Sequence, residues 1–267
     1  VTNRECKYDF RSDQTIVSSA TKRKVHQADL GSDNPAVSNH RLAQLSDFSE
    51  RVTGRLARSY AERDAIFKLR YQSYLGAALV PQNAFGRYIE PCDHADDSYL
   101  VGLYVDRRLI GCLRVEVGCA ATPDFSALAL FPHVFRPLLR GNKAVVHMSC
   151  VATDPELARS YAWLPYIILR AWIVAAEHFQ ADYIAAAVAP QHQLFYRRLL
   201  GCDLHAGSRP HPHLRAPVGL VTLDFAASAA RIYENLPFLR STRSERQQLF
   251  VPEATPSRAA ALNPLVL

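Results

Sequence analysis

Residues 145–165, VVHMSCVATDPELARSYAWLP, decide how the rest of the chain is read. The stretch opens as a valine-rich apolar run, a buried strand. It passes through a loop without glycine and enters the apolar helix WLPYIILRAWIVAAEHF (163–179). That helix is apolar nearly all round, so it is expected inside the molecule. Pro165 suits its first turn, where no intrahelical N–H bond is lost. ADYIAAAVA (181–189) follows as another strand.

The same alternation extends outward in both directions. Downstream, PQHQLFYRRLLG (190–201) is a helix with Pro at its start and Gly at its end, and PVGLVTLDF (217–225) is a final strand. Upstream, SYLVGLYVD and LIGCLRVEV form a hairpin turning at Asp106-Arg107-Arg108. PHVFRPLLRG (132–141) reads as a short helix broken at Pro137. AERDAIFKLRYQSYLGA (61–77) is a helix, with Phe67, Tyr71, Tyr74 and Ala78 at helical spacing. RVTGRLARS (51–59) is a strand. The order β-α-β-β-α-β-α-β-α-β predicts an α/β fold, a mixed central sheet flanked by helices.

Residues 1–48 are polar and lack sustained periodicity, and are expected to form an extended arm. Residues 49–225 are the principal domain. Residues 226–267 are expected to hold a helix, AASAARIYENL, and a Pro- and Ala-rich tail. At 49% apolar and 21% charged residues the composition is that of a globular protein. The longest apolar run is broken by Arg170 and too short to span a bilayer, so no stable membrane insertion is expected. The start does not read as a signal peptide. Six cysteines lack CxxC spacing, which argues against zinc and for reduced thiols in a cytoplasmic protein. The net charge of +6 is mild, and the only dense basic run is Lys22-Arg23-Lys24, so nucleic acid is not expected as a partner.

Strand alternation places Cys112, Arg114 and Glu116 on one face, and Val145, His147, Ser149 and Val151 on one face. A charge in a central strand needs a partner. Arg114 therefore pairs with a nearby glutamate or with a ligand carboxylate. Arg70 lies within the aromatic stripe of its helix, either snorkelling or forming a fork for a carboxylate or phosphate. RYIEPCDHADD (87–97) carries Glu90, Asp93, Asp96 and Asp97. It reads as a solvated loop, and its spacing does not match a calcium loop; no metal is expected.

Taken in order, AIFKLRYQSYLGA, EPCDHADD, GCLRVE, the strand with Ser149, and PQHQLFYRRLLGC resemble the N-acyl amino acid synthases, including the exosortase-associated acyltransferases. The resemblance to acyl-homoserine-lactone autoinducer synthases is more distant. It covers residues 51–225 and implies the GNAT acyltransferase fold. It also implies transfer of a medium or long fatty acyl chain from acyl carrier protein to the amine of an amino acid. No bound cofactor is implied, the donor being an acyl-phosphopantetheine. Arg70, Asp93 and Arg114 match the family's helix arginine, loop aspartate and strand arginine. The strand that usually reads Glu-x-Ser-Arg reads His147-Met148-Ser149-Cys150 here.

An imidazole, with an ordinary pKa of about 6.5, can take the amine's proton directly or through water, so His147 is the candidate base. It is otherwise a hydrogen-bonded core histidine. Tyr196 matches the position that often protonates a leaving thiolate, or is a core aromatic. Amides around Val151 match the usual donors to a thioester oxyanion. Arg70, Tyr74, Asp93, Arg114, Ser149 and Val151 are the expected substrate-binding set. CoA-dependent members of the fold carry a glycine-rich turn after this strand. Here the loop is glycine-free, with bulky Tyr161 and Trp163, which favours carrier protein over CoA as donor. Arg159 and Arg170 are candidate phosphate contacts. Two alternatives stay open: a CoA-dependent N-acyltransferase, and a non-catalytic GNAT-like module that binds a lipid or a partner protein.

Overall fold

The computed structural model describes residues 39–160 and 163–251. Its first half comprises α1 (Asn39–Arg51), β1 (Thr53–Leu56), α2 (Tyr60–Gly76), β2 (Ser98–Val105), β3 (Arg108–Gly118), α3 (Ser126–Leu130), α4 (Pro132–Arg140) and β4 (Val145–Thr153). The second half comprises α5 (Leu157–Ser160), α6 (Leu164–His178), β5 (Tyr183–Val188), α7 (Gln193–Leu200), β6 (Asp203–Arg209), β7 (Val218–Asp224), α8 (Phe225–Asn235) and α9 (Arg243–Phe250). The arm before residue 39, with Lys22-Arg23-Lys24 and Cys6, the tail after residue 251, and Tyr161 lie outside the described residues.

Local chemistry accounts for several boundaries. Ser59 and Glu62 form a reciprocal capping box that starts α2. Asp106 and Arg107 both adopt positive φ, the backbone a tight two-residue hairpin between β2 and β3 requires. Gly201, at φ +80°, ends α7.

The seven strands form one sheet in the order β1-β2-β3-β4-β5-β7-β6. Among the described strands only β4 and β5 pair in parallel, joined by the crossover through α6. Their ladder covers Val145–Met148 against Tyr183–Ala186, and β4 continues to Thr153 paired with β3 but not with β5. The two strands thus part at the level of Ser149. One sheet face packs on α6, whose Trp172 is fully buried and donates to the Val146 carbonyl at 3.2 Å. The other face packs on α2, α3 and α4.

Four expectations change. Residues 39–48 of the polar arm belong to α1, because Leu45 and Phe48, three apart, bury one helical face. Pro137 does not break α4. It lies on the exposed side, while Phe135 and Leu139 hold the opposite side to the sheet. Strand β6 was not expected: DLHAGSR is poor in apolar residues, and its pairing with β7 shifts register between His205 and Arg209. Helix α9 was also not anticipated within the C-terminal tail.

Candidate active site

Four neighbouring elements deliver ionisable side chains to one place. Helix α2 supplies Arg70. A 3₁₀ turn at Pro91–His94 supplies Asp93, with Glu90 capping it. Strand β3 supplies Arg114 and Glu116, two apart and so on one face. Strand β4 supplies His147 and Ser149 by the same rule. The register sets Arg114 opposite Ser149 and Glu116 opposite His147, so the four meet side by side.

The contacts form one continuous network. Asp93 Oδ1 accepts from Arg70 Nη1 at 2.8 Å and from Arg114 Nη1 at 3.2 Å. Its Oδ2 accepts from the Glu90 amide at 2.7 Å. Arg114 Nη2 donates to Glu90 at 2.7 Å, and its Nε donates to Ser149 Oγ at 3.0 Å. Glu116 Oε2 lies 3.0 Å from His147 Nδ1 and accepts from Ser149 Oγ at 3.0 Å. Ser126, at the start of α3, donates its amide and hydroxyl to Glu116 at 2.9 and 2.6 Å.

Arg70, Asp93, Arg114 and His147 are 0% exposed, Glu90 5% and Glu116 3%. Charges so buried persist only when paired, which the network achieves. Burial pushes the Glu116 carboxyl up, but the bond to His147, then Arg114 and Ser126, outweigh it and hold it well below the carboxylate range. Glu90 ends below its ordinary value for a similar balance, with Arg114 and Tyr88 overcoming burial. Glu116 is therefore an ionised acceptor. A neutral imidazole that donates its Nδ1–H to this carboxylate carries its lone pair on Nε2. That Nε2 is buried and has no hydrogen-bond partner among the described residues. Arg70 Nε and Nη2 are likewise buried, with no oxygen or nitrogen partner among the described residues and the Cys112 thiol beside the guanidinium.

The backbone beside Ser149 departs from regular strand geometry. Arg114 faces Ser149 and Cys112 faces Ala152, so Leu113 alone spans Cys150 and Val151. This is a β-bulge, with Cys150 at φ +49°. It lies where β4 leaves β5, so the ladder loosens on both sides of the strand at one level. Gly118, opposite Val145, makes room beside the site. A Cβ there would collide with the Phe125 ring, which lies across the strand with its centroid 5.8 Å from that of the His147 ring.

The bulge corrects one placement. Val151 does not share a face with His147 and Ser149; it packs with the α6-side core, while Cys150 and Ala152 join the α2 side. The extra residue reverses the alternation. Tyr74 is buried on the α2 side, edge-on to Tyr88 at 5.0 Å. Tyr196 packs with the α6-side core, edge-on to Trp172 at 6.1 Å. His147 instead meets Phe125 on the other face. Arg170 is not turned toward a phosphate: it pairs with Glu245 of α9 at 2.9 Å and donates to the Phe238 carbonyl at 2.8 Å. The Arg159 side chain lies outside the described residues.

The acidic loop divides. Glu90 and Asp93 are interior ion-pair partners rather than solvated charges, while Asp96 is exposed. Glu90, Glu116 and Ser126 are the participants that sequence reasoning did not assign. The signal for Glu116 was present in its two-residue spacing from Arg114. Among the described residues, cysteines 92, 112, 119, 150 and 202 are free. Among the described residues no group of three or more His, Cys, Asp or Glu could hold a metal ion, and no helix is long and apolar enough to cross a membrane.

Comparison with known proteins finds relatives of this fold. The structure of FeeM, an N-acyl amino acid synthase from uncultured soil microbes, superposes with a TM-score of 0.57 at 16% identity, covering 67% of this chain and 95% of FeeM. TofI, solved in a ternary complex with an inhibitor and MTA, gives 0.53 at 17% identity, covering 71% of this chain and 100% of TofI. At such identities these matches speak for the fold. No curated protein sequence matches the chain. The family model of the N-acyl amino acid synthase FeeM matches residues 65–224, the span that carries the whole charged network. The chain therefore belongs to the FeeM N-acyl amino acid synthase family and is an acyltransferase of the GNAT fold.

Proposed function

We propose that this acyltransferase moves a medium or long fatty acyl chain from the phosphopantetheine of acyl carrier protein to the amine of an amino acid. The observation that carries the reading is His147: Nδ1 tied to an ionised Glu116, Nε2 buried and without a hydrogen-bond partner among the described residues, beside the level where β4 and β5 part. An ammonium must lose a proton before it attacks a thioester, and an imidazole oriented by a carboxylate is suited to accept it. Family members usually carry glutamate at the His147 position. Here a carboxylate lies directly across the ladder, at Glu116 on β3. The family's Glu becomes a Glu–His pair with the imidazole in front.

The network contains three acids, Glu90, Asp93 and Glu116, against two guanidiniums, Arg70 and Arg114. This excess of negative charge favours a cationic acceptor at its edge. Ser149 holds Arg114 and Glu116 in register. The loosened amides of the Cys150–Val151 bulge are suited to the oxyanion of the tetrahedral intermediate. A glycine-free loop before α6 supports carrier protein rather than CoA as donor, and free cysteines suit the cytoplasm.

Mass spectrometry of lipid extracts from a bacterial host expressing this chain with carrier protein, beside a His147→Ala control, tests the reading. A new N-acyl amino acid from the unmodified chain, lowered by about 10²- to 10⁴-fold in the variant, is expected. Equal product from both would remove His147 from the mechanism. Purified acyl-carrier-protein and acyl-CoA donors, compared side by side, decide the donor.

A further inference from the structure

Residues 75–86, LGAALVPQNAFG, carry no ionisable side chain, yet most of the stretch faces solvent. Leu75, Ala78, Pro81 and Ala84 are exposed, and Phe85 is 79% exposed. The segment is held in place. Val80 is buried with the α2 side of the core, and Tyr71 Oη accepts from the Asn83 amide at 2.9 Å. Asn83 Oδ1 accepts from the Phe85 and Gly86 amides at 3.0 and 2.9 Å, and Gly86 adopts φ +60°. An asparagine that bonds the backbone ahead of it organises a turn, so the backbone from which Phe85 projects is fixed. A contiguous apolar surface kept in water on a fixed turn gains nothing for folding, and such surfaces are sites of contact with something else.

The rim of this surface is cationic. Arg87 donates to the Phe85 carbonyl at 2.7 Å and pairs with Asp64 of α2, which also pairs with Lys68 at 2.8 Å. Arg215 is exposed, and its N–H donates to the Leu79 carbonyl at 2.8 Å. Three cations thus stand around one acid. Exposed Ile89 and Tyr60, the latter 89% exposed and within electrostatic reach of Arg87, extend the apolar area. Aromatic and aliphatic tips among lysine and arginine suit the boundary of an anionic bilayer. There the tips enter the acyl region and the cations meet headgroup phosphates. The chain runs from this turn straight into Tyr88, which donates to Glu90 of the charged network. The surface therefore borders the candidate active site.

We propose that the surface formed by residues 75–89, with Phe85 at its tip and Lys68, Arg87 and Arg215 at its rim, docks this enzyme reversibly on an anionic lipid bilayer. The contact is peripheral, made by a turn rather than by a spanning helix. A projecting tip suits a fluid bilayer, which admits it without a matching pocket. A few side chains at an interface bind weakly, so the cations make the contact selective for anionic lipid. An N-acyl amino acid with a medium or long chain is itself an amphiphile, and a site bordering the bilayer releases it into lipid rather than into water. Lipid binding is measured without turnover, so the docking surface and the transfer reaction proposed above are tested separately.

Co-flotation of the full chain with vesicles tests the proposal, with phosphatidylcholine alone beside mixed phosphatidylcholine and phosphatidylglycerol. Binding to the mixed vesicles, weakened by added salt, is expected, with little on phosphatidylcholine alone. Phe85→Ser should lower the partition coefficient by about 10-fold. Lys68→Gln should lower it by about 5-fold. Both side chains are exposed, so thermal stability and transfer from a soluble acyl-carrier-protein donor should stay unchanged in the two variants. Vesicle binding that Phe85→Ser leaves intact would place the lipid contact elsewhere in the chain and overturn the proposal, as would no binding to either vesicle. Loss of transfer in Phe85→Ser at unchanged stability would make the surface a dock for carrier protein. A dimer in solution abolished by the same change would make it a contact between two copies of the chain. Either result overturns the lipid assignment.

Discussion

The two faces of the central sheet bury their residues on opposite principles. The α6 face is a continuous apolar core in which Trp172, Leu164, Ile173, Ala175 and Met148 lie at or below 1% exposure. The α2–α3 face, across the same strands, buries two arginines, three acids and a histidine. Apolar burial is non-directional and tolerates substitution of similar volume. A charged cluster tolerates little, because each member left alone is an unpaired charge in a poor solvent. The first face supplies stability; the second gives up some of it to fix a few atoms in position. Reactive groups on one face of a strand can thus be held rigidly by the packing on its other face.

This contrast predicts unequal responses to substitution. Arg114→Met, close in volume, should cost about 3–5 kcal/mol, because Glu90, Asp93 and Glu116 lose a shared partner; chemical denaturation measures it. A cost under about 1 kcal/mol would mean the face behaves as an ordinary core. Glu116→Gln removes the ionised partner of His147 while keeping its shape. It should lower kcat by roughly 10²-fold with the fold retained, a loss typical of removing the group that orients a catalytic or metal-bound imidazole. Near-normal kcat with normal stability would make the Glu116–His147 pair structural only.

The next effect is one of pH. Glu90 and Glu116 titrate below their ordinary values in the folded chain, so the unfolded chain binds more protons in the acid range. Their stabilisation is complete above about pH 5 and is lost as pH falls through the folded values, by about 2 kcal/mol per strongly shifted carboxylate. Denaturant midpoints measured downward from pH 6 should fall, and fall less in Glu116→Gln. The smallest effect is expected across the sheet. Tyr196→Phe keeps the aromatic packing on Trp172 and should change kcat by less than about threefold. A tenfold or larger loss would return thiolate protonation to Tyr196 and join the two faces in one mechanism.

Much of this was legible in the sequence because it depends on local periodicity. The β2–β3 hairpin, α2, α6, α7 and β4 each announce themselves by spacing and by turn or cap residues. Arg70, Asp93, Arg114, His147 and Ser149 were identifiable by residue type and order, and the structure brings all five together. Three features were not legible. Whether Glu90 and Asp93 face water or arginine is a matter of which strand their loop lies against. Strand β6 exists because β7 offers it an edge, with little pattern of its own. Val151 changes face because one residue is inserted opposite Leu113, and the insertion is a property of the pair of strands.

The sequence by itself therefore determined the order of elements, the class of fold and the residue types available for chemistry, since these follow from periodicity and side-chain identity along one chain. Only the tertiary structure decided which charges are buried together, that Glu116 stands across from His147, and that Tyr196 lies on the far face. Those are distances between residues up to roughly 80 positions apart, fixed by strand register and packing rather than by any local run of sequence.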